Sequence, residues 1–75
     1  MQKEQTEGIY IGDMIRRELE RQGRRTAWFA GQINCDRSNA YKILKRRNID
    51  VQLLIRISEV LGHNFLDDCA RQVRL

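Results

Sequence analysis

Seventy-five residues make one small domain, which buries only about 60% of the surface its unfolded chain exposes and has no room for a deep catalytic cleft beside a core. With 32% charged residues, 41% apolar residues and no proline, the chain suits a helical globule, not a disordered one. No apolar run, Leu53-Leu54-Ile55 included, approaches the roughly 20 residues of a membrane span.

Met1 to Gly8 is polar and has no apolar stretch of signal-peptide type. Residues 1–8 therefore read as a loose arm, and residues 9–75 as the folded domain. Ile11, Met14, Ile15 and Leu19 recur at helical spacing and predict a first amphipathic helix over Ile11 to Gln22, ended by Gly23. Thr26 is a good N-cap for a short second helix, whose inward face is Phe29, Ala30 and Ile33. Asn34 follows and tolerates the left-handed backbone of a tight turn.

Asp36 caps a third helix expected to run through Arg46. Ala40, Ile43 and Leu44 point inward. Ser38, Lys42, Lys45 and Arg46 fall on the other side within about 100° of arc, with Tyr41 at the edge. Asp50 caps a fourth helix, Val51 to Leu61, closed by Gly62. Its polar residues Gln52, Arg56 and Glu59 form one narrow stripe; the rest is apolar, more than so small a domain readily covers. Asn64 caps a fifth helix with Phe65, Leu66, Cys69, Ala70 and Val73 as its apolar residues. There is no strand alternation and no internal repeat. The expected class is all-α, a compact four- to five-helix bundle.

The net charge of +4 is unevenly placed. Residues 24–47 carry seven cations (Arg24, Arg25, Arg37, Lys42, Lys45, Arg46, Arg47) against Asp36 alone, or +6, and the rest of the chain carries −2. A cationic segment of this kind is the footprint that phosphate contacts need, although short basic clusters are often plain solvated surface. Here the cations coincide with the outward face of the third helix. The second and third helices, with Asn34-Cys35 between them, have the proportions of a helix-turn-helix over about residues 26–46. In that motif a short helix braces a second one, which lies in the DNA major groove.

At these residues the chain resembles the Cro/CI-like helix-turn-helix regulators, the XRE family. The resemblance rests on Ile11-Gly12 at the first helix, on Phe29-Ala30, Ile33 and Asn34-Cys35 across the turn, on Asp36-Arg37-Ser38-Asn39-Ala40-Tyr41-Lys42-Ile43, and on Leu54 to Gly62. It covers roughly residues 10 to 66 and implies a bundle of the lambda-repressor-like DNA-binding type. It also implies that Arg37, Ser38 and Lys42 meet base edges, Arg37 and Lys42 having the donors to read guanine. Asn39 and Tyr41 are then expected to reach a base or a phosphate. Arg25, Lys45, Arg46 and Arg47, together with Thr26 at the start of the second helix, are expected to hold the phosphate backbone, which positions the protein without choosing the sequence. The chain departs from the family in four places. Leu19 and Leu44 stand where many members pair a buried Arg with a Glu; an apolar pair of similar volume is as stable or more so. Asn34 replaces the usual turn glycine, Arg46 replaces a glycine and predicts a longer third helix, and Asp68 stands where an aliphatic is common.

The remaining chemistry-bearing residues point to packing. Trp28 lies off the inward face and is expected to pack under the first helix or a loop. Cys35 and Cys69 form no C-x-x-C pair and read as small hydrophobes of a reduced, cytoplasmic protein. With one histidine, His63, no zinc set is apparent, and Ser58, His63, Asp67 and Asp68 do not assemble an activated nucleophile. No catalytic residue, metal or other cofactor is expected. The implied partner is double-stranded DNA, bound as a homodimer that pairs through Leu53, Ile55, Val60 and Phe65. Repression is expected, because blocking a promoter needs no further domain. The alternatives are a protein-binding adaptor or antitoxin-like factor on the same fold and, more weakly, RNA binding, which the deep, narrow RNA major groove disfavours.

Overall fold

The computed structural model describes residues 10–73, so the arm over residues 1–8 lies outside the described residues. Five helices follow in chain order: α1 Ile11–Gln22, α2 Thr26–Gln32, α3 Arg37–Leu44, α4 Val51–Leu61 and α5 Phe65–Ala70. All regular structure among the described residues is helical.

The helix limits follow from local chemistry. Asp36, Asp50 and Asn64 each accept a hydrogen bond from the backbone N–H three residues on, the N-cap arrangement that satisfies an otherwise orphaned donor. Gly23 and Gly62 end α1 and α4 at φ 70° and 64°, a region most side chains avoid. Asn34 takes the same left-handed conformation at φ 57° and turns the chain between α2 and α3.

Two boundaries differ from the sequence expectation. Thr26 is the first helical residue of α2, and the cap position belongs to Arg25, whose side chain makes no capping bond. The third helix stops at Leu44, short of Arg46. Lys45 and Arg46 close it with tight bonds to the carbonyls of Lys42 and Ile43. The carbonyls of Arg46 and Arg47 are taken up elsewhere: they accept from the N–H groups of Gly12 (2.9 Å) and Ile11 (3.0 Å). The free donors at the start of α1 thus find acceptors just beyond α3, and this exchange takes the place of a side-chain cap on α1.

The core gathers one face from each helix: Ile15 and Leu19 of α1, Phe29 and Ala30 of α2, Ala40 and Leu44 of α3, Leu54, Ile57 and Leu61 of α4, and Phe65 of α5, with Ile33 and Ile49 from the connections. Phe29, Phe65, Ile15 and Ile57 are the largest fully enclosed side chains, each contributing about 1.5–3 kcal/mol by leaving water. Leu19 and Leu44 are both buried. Helix α4 is covered on one side only. Leu53 and Val60 pack partly against the core, while Val51 is 61% and Ile55 40% exposed. Phe65, expected on a dimer surface, is 1% exposed; it fills the core under α4 and lines no surface of this fold.

Glu18 is the one buried charged residue of the described chain. Its carboxylate accepts from Arg21 and Gln22, and Gln22 Nε2 also donates to the Leu61 carbonyl at 2.8 Å, tying α1 to the end of α4. The Arg21 hydrogen bond is the main cause that holds the Glu18 carboxyl at about 2, well below its ordinary range. No helix is long and apolar enough to cross a membrane among the described residues.

Candidate nucleic-acid interface

Helix α3 separates its residues cleanly. Ala40 and Leu44 are buried against the rest of the domain, and Arg37, Ser38, Asn39, Tyr41 and Lys42 are exposed. Lys45, Arg46 and Arg47 continue that exposed surface beyond the helix end, and Arg25 is exposed before α2. Thr26 is half-buried at the start of α2. The division follows from helical geometry, because the small Ala40 and the branched Leu44 sit one turn apart on the face that α1 and α2 cover. The Asp36 cap, with Asp36 Oδ1 accepting from Asn39 N–H at 2.9 Å, sets where the helix begins and hence which residues face out.

The cations of this region differ from those elsewhere. Arg16 and Arg17 are paired with Asp13, Arg16 also with Glu20, Arg21 with Glu18, and Arg71 with Asp67. Among the described residues, Arg25, Arg37, Lys42, Lys45 and Arg46 have no carboxylate partner. A cationic surface without internal neutralisation offers its charge to an external anion.

A groove of about 930 Å³ runs beside this face. Tyr10, Asp13, Arg17, Leu19 and Glu20 line one side and Arg24, Thr26, Tyr41, Leu44 and Lys45 the other. Two aromatic rings brace arginines at its edges: the Arg24 guanidinium lies 4.2 Å from the Trp28 ring centre, and that of Arg47 lies 4.8 Å from Tyr10. Both are within cation–π range. Trp28 also packs partly against the core.

The other chemistry-bearing residues serve the fold. The Ser58 hydroxyl donates to the Leu54 carbonyl and accepts from Phe65 N–H. His63 Nε2 is 2.6 Å from Asp68 Oδ2, and the His63 ring packs edge-on to Phe65. Asp68, which departs from an aliphatic pattern, therefore has a definite partner. Cys35 and Cys69 are unbonded and partly buried, and burial pushes both thiols up, away from the reactive thiolate. Among the described residues no group of three or more His, Cys, Asp or Glu is placed to hold a metal ion.

Three features of this region escaped the sequence reading. Arg24 and Trp28 are four residues apart, a spacing that places them on one side of a helix start and could have revealed their contact. The Tyr10–Arg47 contact and the Gly12–Arg46 bond join residues distant in sequence, and no local pattern announces them. No family model matches the chain, and comparison with curated proteins and with solved structures returns no match.

Proposed function

We propose that this chain is a sequence-specific double-stranded DNA-binding regulator of the Cro/CI-like, lambda-repressor-like type, with α3 as the helix that enters the major groove. The observation that carries the reading is the exposed face of α3 and its extension, where Arg37, Lys42, Lys45 and Arg46 present charge that no described carboxylate neutralises. A major groove about 12 Å wide admits one such helix. Arg37, Ser38 and Lys42 are the base-reading residues, with Asn39 and Tyr41 beside them. Arg25, Thr26, Lys45, Arg46 and Arg47 hold phosphates.

Two copies reading half-sites about one helical turn apart complete the proposal. Val51 and Ile55 supply exposed apolar surface on α4 for that pairing, with Leu53 and Val60 partly available and Phe65 excluded by its burial. Repression by occupying a promoter is the regulatory outcome in keeping with such a module. The same α4 surface supports a second reading, a protein-binding adaptor in which that face meets a different protein.

Selection of bound sequences from a random duplex pool, at two salt concentrations, tests the proposal. The expected result is an enriched two-fold-symmetric site and an affinity that falls steeply with salt. Failure to enrich any sequence, with affinity indifferent to salt, overturns it.

A further inference from the structure

We infer that Trp28 is a positioning residue that holds Arg24 as a pre-set phosphate anchor beside α3; this rests on the DNA-binding reading above.

The placement is specific. The guanidinium of Arg24, an arginine of the basic segment just before α2, lies 4.2 Å from the Trp28 ring centre. Arg24 opens onto the groove beside α3, which it lines together with Thr26, Tyr41 and Lys45. The carboxylates of that groove, Asp13 and Glu20, are already engaged with Arg16 and Arg17. Arg24 has no carboxylate partner among the described residues, and its fixed neighbour is an indole face. A face-on ring restrains the guanidinium plane but leaves its edge N–H donors available.

A phosphodiester oxygen is an acceptor that those edge donors fit in bidentate fashion. An arginine already held in one orientation loses less side-chain freedom when it binds. The backbone of one strand, following the groove beside α3, is the occupant this chemistry suits. Lysine at the same position keeps the charge but has neither the planar stacking nor the fork. The bracing effect is therefore separable from charge.

The test uses the full chain and a labelled random-sequence duplex of about two helical turns, titrated at several salt concentrations. The single tryptophan gives a second readout, since a phosphate arriving at Arg24 changes the field over the Trp28 ring. For R24K the expected result is an affinity about three- to tenfold weaker with an unchanged salt slope, because the charge is retained. R24A is expected to lose more and to flatten the slope by about one phosphate contact. W28F keeps an aromatic face and is expected to bind nearly as wild type. W28L is expected to match R24K, and the R24K/W28L pair to be no weaker than either alone. Because Trp28 also touches the core, thermal melts accompany W28L. R24K changes an exposed side chain and stands by itself if W28L unfolds. Wild-type affinity in R24K overturns the bracing while leaving DNA binding intact. A wild-type chain with no salt-dependent affinity for the duplex overturns both.

Discussion

The N–H of Gly12 donates to the carbonyl of Arg46 at 2.9 Å, and a Cβ on Gly12 would stand 2.7 Å from that same oxygen. The start of α1 and the end of α3 are therefore in backbone contact, with no side chain between them. This contact sets the position of α3 relative to the rest of the bundle, and with it the direction of the exposed basic face.

Gly12→Ala is expected to destabilise the fold. In an ordinary helix interior alanine is better than glycine by about 0.5–1 kcal/mol. Here the added methyl meets backbone atoms of Ile43, Leu44 and Arg46 at 2.6–2.7 Å, and backbone cannot swing aside as a flexible side chain can. Overpacking of this kind costs about 1–3 kcal/mol, so the clash outweighs the propensity gain. Urea unfolding should show a lower midpoint with an unchanged m-value.

Asp36→Ala removes the bond to Asn39 N–H at the start of α3. A loss of about 1 kcal/mol is expected, measured by thermal unfolding. Asp36→Asn should retain most of the stability, because its amide oxygen also accepts.

Glu18 makes the fold sensitive to acid. Its folded-state carboxyl sits at about 2, against an ordinary 4.5, chiefly because of the Arg21 hydrogen bond. A depressed carboxyl contributes stability that is complete above about 4.5 and is lost as pH falls towards 2. Glu18→Gln should flatten the acid limb of a stability-versus-pH curve in that window. An acid limb of unchanged steepness would show that Glu18 does not cause it.

Phe65 and Ile55 should respond oppositely. Phe65→Ala empties a fully buried site and is expected to cost about 3–5 kcal/mol. Ile55→Asp, at a position 40% exposed, should change monomer stability by no more than about 0.5 kcal/mol. If two copies pair through α4, sedimentation should show weaker association for Ile55→Asp.

Arg37 and Arg46 should separate the two kinds of DNA contact. Arg37→Ala is expected to cost about 1–3 kcal/mol on a preferred site and to relax the preference at one base position. Arg46→Ala should weaken all duplexes alike and reduce the salt slope by about one contact. Competition binding against preferred and scrambled duplexes distinguishes the two.

The helices themselves were legible in the chain because their determinants are local. The 3.6-residue recurrence of Ile11, Ile15 and Leu19, the caps at Asp36, Asp50 and Asn64, and the left-handed residues Gly23, Asn34 and Gly62 act within a few residues. The exposed basic side of α3 was legible for the same reason, since the helical period alone puts Lys42 opposite Ala40 and Leu44. Tertiary structure decided what depends on distant neighbours. The third helix ends at Leu44 because carbonyls beyond it bond to α1, Phe65 is interior because α4 and α5 fold over it, and Glu18 is enclosed where α1 meets the end of α4. Capping and periodicity are short-range forces written in adjacent residues, whereas burial depends on which faces meet, and only the packed chain brings those faces together.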